Sequence, residues 1–128
     1  MAKFLTQEWL DLQTNLAQDF PERPGASARM QYKVSGAPDG DVTFHTVIDN
    51  GKILENALGE DDQAEFTMAV SYDDFCKVNK AELDANAAFM QGRIKVTGNM
   101  GKLMSLMPLT QSAEYKAIAE KVNESTEY

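Results

Sequence analysis

The sequence predicts an α+β domain in which helices pack on one face of a twisted β-sheet. Three observations lead there. An apolar stripe of helical period opens the chain, period-two alternation fills residues 30–70, and short capped apolar segments around one further strand fill the rest. At 128 residues the chain has the usual size of one domain, so residues 1–128 are expected to share one core.

In the opening segment Leu5, Trp9, Leu12, Leu16 and Phe20 recur at steps of three and four, which is one face of a helix. Thr6 is placed to cap it, Glu8 and Asp11 suit the positive end of its dipole, and Pro21 and Pro24-Gly25 stop it. Met30, Tyr32 and Val34 then alternate with Gln31 and Lys33, and Ala37-Pro38-Asp39-Gly40 makes a turn. Val42, Phe44, Thr46 and Ile48 continue on period two. Asn50-Gly51 is the strongest hairpin signal in the chain, because both residues tolerate positive φ. Ile53 to Leu58 returns as a third strand, residues 59–62 form a polar loop, and Phe66, Met68 and Val70 alternate again.

The second half changes period. Ser71-Tyr72-Asp73-Asp74 is a capping box opening a short helix that turns Phe75 and Val78 inward. Asp84 caps another, whose Phe89 and Met90 precede Gly92. Arg93 to Thr97 reads as one more strand, with Ile94 and Val96 on one face. Residues 98–101 turn into a helix holding Leu103, Met104, Leu106 and Met107, which Pro108 is expected to end. Thr110 or Ser112 caps a last helix with Tyr115, Ile118, Ala119 and Val122 on its apolar face.

Charge and composition exclude whole classes of function. The net charge of −8 leaves no basic footprint for nucleic acid or an anionic membrane. Residues 72–104 nevertheless carry a local charge of +1, either chance scatter over a solvated surface or a face for an anionic ligand head. No apolar run reaches the ~18 residues of a membrane-spanning helix, so no stable membrane insertion is expected. The single cysteine, Cys76, leaves no internal disulfide and fits a reducing compartment. With neither a leader-like start nor a peroxisomal tripeptide at Ser-Thr-Glu-Tyr, the expected location is cytoplasmic.

No catalytic set emerges. His45 is the only histidine, no metal-ligand or phosphate-loop spacing occurs, and Cys76 reads as a small buried hydrophobe, so no enzyme activity, cofactor or metal is expected. Met100, Met104 and Met107 are spaced four and three apart beside Leu103 and Leu106. Such a stripe is either ordinary core or an adaptable wall for an apolar ligand.

The run Ala88–Met104, AFMQGRIKVTGNMGKLM, closely resembles the signature of the sterol carrier protein 2 family. The upstream MAVSYDDF, residues 68–75, is similar to that family's strand followed by a capped helix. The resemblance implies a five-stranded, mostly antiparallel sheet with helices packed on one face and an apolar tunnel between the layers. It also implies non-covalent carriage of a fatty acid, fatty acyl-CoA or sterol-like molecule. On that resemblance the tunnel wall comprises Phe75, Phe89, Met90, Ile94, Val96, Met100, Leu103, Met104 and Met107, with Ile118 and Val122 as a C-terminal lid. Two other functions fit the same residues: an accessory or homodimerisation domain with a small cavity, and a component presenting substrate to a lipid-metabolising enzyme.

Overall fold

Alternating strands and capped helices appear in the predicted order in the computed structural model, which describes residues 2–128. The first half contains β1 (Ala2–Lys3), α1 (Gln7–Leu16), a 3-10 turn (Ala17–Asp19), β2 (Ala28–Ser35), β3 (Val42–Asp49) and β4 (Lys52–Leu58). The second contains β5 (Phe66–Ser71), α2 (Tyr72–Asn79), α3 (Ala85–Met90) and β6 (Ile94–Gly98). It continues with α4 (Met100–Ser105), α5 (Met107–Thr110), α6 (Ala113–Glu124) and β7 (Thr126–Glu127).

The five-stranded sheet has the order β4-β3-β2-β5-β6, antiparallel throughout except that β5 runs parallel to β2. Asn50 and Gly51, at φ 48° and 83°, form the tight turn between β3 and β4, as their sequence predicts. The residues before β5 are fastened to β2. Asp61 lies in a two-point pair with the Arg29 guanidinium (2.9 and 3.3 Å), and its amide donates to the Gln31 side chain. The Arg29 amide in turn donates to the Glu65 carboxylate. These contacts deliver the chain to the far side of β2 and position β5 alongside it.

The Asp61 carboxylate is 5% exposed, and its pair with Arg29 holds its pKa below the ordinary 3.8 against the opposing effect of burial. A depressed folded-state pKa contributes stability above the unfolded-state value and loses it as pH falls through the folded value. Asp61→Asn is therefore expected to lower stability near neutrality. The gap from the parent should close as urea melts are moved from about pH 7 to about pH 2. A gap independent of pH would show that the pair contributes nothing through charge.

Helix caps follow the sequence. Thr6, Ser71, Asp84, Asn99 and Ser112 accept from the backbone amides of Trp9, Asp74, Ala87, Lys102 and Tyr115. The opening stripe, however, is not one helix. Leu5 precedes it at φ 61° and Phe20 follows the 3-10 turn, yet both remain buried. Pro108 does not end the methionine helix either. That helix stops at Ser105, and Pro108 lies in the first turn of α5, where a missing N–H is harmless. Met107 therefore sits on a different helix from Met100 and Met104.

The even-numbered residues of β2, β3, β5 and β6 share the covered face of the sheet, which carries two cores. One gathers Phe4, Trp9 and Leu10 over Val34, Phe44, Val70 and Ile94, with Ala88 and Val122. The other gathers Ala17, Phe20, Leu106 and Leu109 over Ala28, Met30, Ile48 and Phe66. Helix α1 is tied to β4 by a polar bridge inside this layer. Buried Asn56 accepts from Thr46 (2.9 Å) and donates to the Leu10 carbonyl (3.1 Å), which satisfies groups that would otherwise be stranded.

Candidate functional site

The two cores do not merge. Strand register places Val42, Val34, Val70 and Ile94 in one cross-strand row, and Thr46, Met30, Phe66 and Gly98 in another. Between them runs a third row, Phe44, Tyr32, Met68 and Val96. Its neighbours Val34, Val70 and Ile94 on one side and Met30 and Phe66 on the other are buried, whereas Tyr32, Met68 and Val96 keep accessible surface. These three and Ile118 of α6 are the half-buried apolar residues that touch both cores. The result is an apolar seam across the sheet, floored by Tyr32, Met68 and Val96 and roofed by Ile118. Phe44 closes one end, its ring stacked on Tyr32 at 4.7 Å and 15°. The other end reaches β6, the outermost strand, where the sheet has no further neighbour.

Tyr32 rises from the floor, and Tyr115 stands on the first turn of α6 with its ring stacked on Phe20 (6.3 Å, 29°). Neither hydroxyl has a hydrogen-bond partner among the described residues. Trp9 Nε1 is the only fully buried side-chain polar atom there without one, so the unpartnered Tyr32 hydroxyl retains accessible surface. Burial pushes the Tyr32 hydroxyl far above its ordinary value of 10, and the nearby Tyr115 adds to this. Burial likewise raises Tyr115, although the residue as a whole is 38% exposed.

The residues placed on the wall by resemblance scatter around this seam. Val96 and Ile118 belong to it. Ile94, Val122 and Phe75 pack into the first core and Leu103 into the second, while Met107 is half-buried. Phe89, Met90, Met100 and Met104 are exposed on α3 and α4, helices packed against β6 and β5 at the sheet's open edge. Sequence reasoning did not place Tyr32 or Met68 on the wall. Their alternation marks them as facing inward, but only the pairing of β2 with β5 brings them together.

Met104 is 61% exposed, which separates the two meanings of the methionine stripe. A core methionine replaced by alanine costs ~2–5 kcal/mol, an exposed one about 0.5 kcal/mol or less. Met104→Ala is expected to fall in the lower class in thermal melts of delipidated protein. A loss in the core range would place Met104 in the packed interior.

His45 Nδ1 lies 2.9 Å from the Gly59 carbonyl on the opposite, more polar face of the sheet. Burial pushes the Cys76 thiol up, away from the thiolate form, more strongly than Tyr72 and Lys80 favour it. Among the described residues no cluster of three or more His, Cys, Asp or Glu could hold a metal, and no helix is long and apolar enough to cross a membrane. Clefts of about 640 Å³ beside Gln7 and Asp11 and about 440 Å³ beside Cys76 and Tyr128 lie away from the seam.

Known proteins share this layout. Human sterol carrier protein 2 is 35% identical over 81 residues, covering 61% of this chain and 14% of that protein. Bovine hydroxysteroid dehydrogenase-like protein 2 is 34% identical over 87 residues, covering 67% of this chain and 20% of that protein. The chain thus spans less than a quarter of either relative's length. A crystal structure of sterol carrier protein 2 superposes with a TM-score of 0.74 at 16% identity, over 92% of this chain and 98% of that one. At such identity the likeness establishes the fold. The family model for the SCP-2 sterol transfer family matches residues 12–111, from the middle of α1 to the end of α5, and the chain belongs to that family of lipid-binding and lipid-transfer domains.

Proposed function

We propose that this chain is a single, non-catalytic domain that binds one long apolar lipid between sheet and helices and carries it without covalent attachment. The observation that carries this reading is the half-open row Tyr32, Met68 and Val96, lying between two closed cores beneath Ile118. Burying an alkyl chain there is worth ~0.8 kcal/mol per CH₂, so chain length dominates affinity and no elaborate polar site is needed. Ile94 and Val122 hold the walls. The exposed Phe89, Met90, Met100 and Met104 stand where the row runs out at β6, and serve as an adaptable rim around an entering chain. A fatty acid, fatty acyl-CoA or sterol-like molecule meets these requirements, and the free thiol fits work in the cytoplasm.

Chain length supplies the test. Fluorescent fatty acids should bind delipidated protein with micromolar or tighter affinity at sixteen carbons and markedly more weakly at six. Equal affinities, or none, would remove the seam as a lipid site. A second reading is favoured by the match to a segment of a larger dehydrogenase-like protein. In that reading the domain presents its lipid to a catalytic partner, and co-purification with an acyl- or alcohol-processing enzyme would support it.

A further inference from the structure

We infer that the outer edge of β6 is a strand-addition site for a partner's extended peptide in which apolar and acidic residues alternate. The five-stranded sheet ends in two edges, β4 and β6, and the molecule treats them differently. At β4 the edge is plugged. The Gln7 side-chain amide donates to the Asn56 carbonyl and accepts from the Leu58 N–H, both at 3.0 Å, as a neighbouring strand would. A bulge opposite Val47 and Ile48 also interrupts the register of β4. At β6 nothing comparable occurs. The Asn99 amide donates to the Glu65 carbonyl, so Lys95, Thr97 and Asn99 turn their backbone groups toward β5, and Ile94, Val96 and Gly98 turn theirs outward. None of these outward N–H and C=O groups has a hydrogen-bond partner among the described residues. An edge left in this state is a template for another strand.

The side chains around the edge define the peptide. Residues 85–113 hold three of the chain's 12 basic residues, Arg93, Lys95 and Lys102, and none of its 20 acidic ones. Arg93 is paired with Asp74 and Lys102 with Glu65, but Lys95 is exposed and enters no ion pair among the described residues. It projects from the polar face of β6, while Val96 belongs to the covered face. At the two ends of the strand, Met90 of α3 and Met100 of α4 are exposed. An added strand places alternate side chains on the two faces, with carboxylates beside Lys95 and apolar groups beside Val96 and the adaptable methionines. Pairing β6 with β6 of a second copy would instead gather Lys95 and Arg93 of both chains along one join. The site therefore fits an acidic partner rather than itself.

The test measures fluorescence anisotropy of a labelled peptide, acetyl-Ser-Glu-Val-Glu-Val-Glu-Val-Ser, titrated with the intact chain. It should bind, and the same peptide with lysine in place of glutamate should bind at least about tenfold more weakly. Only alternate amides of an added strand face its neighbour. N-methylation of the valine amides or of the glutamate amides should therefore abolish binding in one case and preserve it in the other. Lys95→Glu should weaken the acidic peptide by about fivefold or more, as attraction turns to repulsion, and leave the melting temperature unchanged. With peptide bound, amide hydrogen exchange should slow at Val96 and Gly98 and not along β4. No binding of the acidic peptide, equal effects of the two methylations, unchanged affinity in Lys95→Glu or protection confined to other strands would each overturn the site. A dimer of the peptide-free chain in sedimentation that protects the same amides would also overturn it, by showing that a second copy holds the edge. Strand addition is independent of the lipid reading: a chain that binds fatty acids by length but not this peptide keeps the one and loses the other.

Discussion

Gly98→Ala is expected to destabilise the protein by about 3 kcal/mol or more, visible as a fall in Tm of the order of 10 °C. Two causes combine. Gly98 sits at φ +111°, where a side-chain-bearing residue is strained by ~1–3 kcal/mol. In addition, a Cβ there would lie 2.6 Å from the Glu65 carbonyl oxygen and 2.8 Å from the Phe66 Cα, both backbone atoms that no rotamer change can move. Gly98 pairs with Phe66 in register, so relief means prising β6 from β5. Gly59 provides the control: its φ is +108° and nothing lies within 4 Å of the added atom, so Gly59→Ala carries the strain alone. Equal losses in the two variants would show that the close approach at Gly98 is tolerated.

Phe66→Ala should cost about 3–5 kcal/mol in urea or thermal melts, the usual range for emptying an aromatic site in a core. Phe66 is 1% exposed, at the centre of the second core beneath Leu106 and Leu109. The core around it combines strand residues with Ala17 and Phe20 of the 3-10 turn and with Leu106 and Leu109, which cannot collapse into the vacancy without moving the sheet or α5. A cost below about 1 kcal/mol would mean that this half of the covered face is already loosely packed. Substitution should also couple to Gly98, because the two residues face each other across the β5–β6 pair.

The sequence was informative wherever structure depends on near neighbours. Thr6, Ser71, Asp84 and Ser112 were legible as helix starts because a cap needs only a side-chain oxygen two or three residues before an amide. Asn50-Gly51 announced its turn for the same reason. Pro108 misled because proline is compatible with a helix start as well as a stop, and the choice depends on how Leu106 and Leu109 are buried. The two-residue strands β1 and β7 leave no periodicity to read. The resemblance carried the family, but it could not rank the apolar residues around the site. Ile94 and Val96 alternate identically in sequence. Only their register partners, Val70 and Met68, send one into a closed core and the other to the seam.

The pairing of β1 with β7 bears on the order in which the two cores close. Ala2 in β1 and Phe4 just after it donate to the carbonyls of Ser125 and Glu127 at 2.8 Å, and Phe4 lies among Trp9, Tyr72, Phe75 and Tyr128. The second core draws its buried residues from positions 17 to 109, whereas the first needs positions 2 to 5 together with Val122. The second core can therefore close without β1 or β7. The first must wait for β1 to meet β7, the contact most distant in sequence in the fold and so the one with the largest loop-closure cost. Until then Phe4 lacks Tyr128, and one end of the apolar seam stays unwalled.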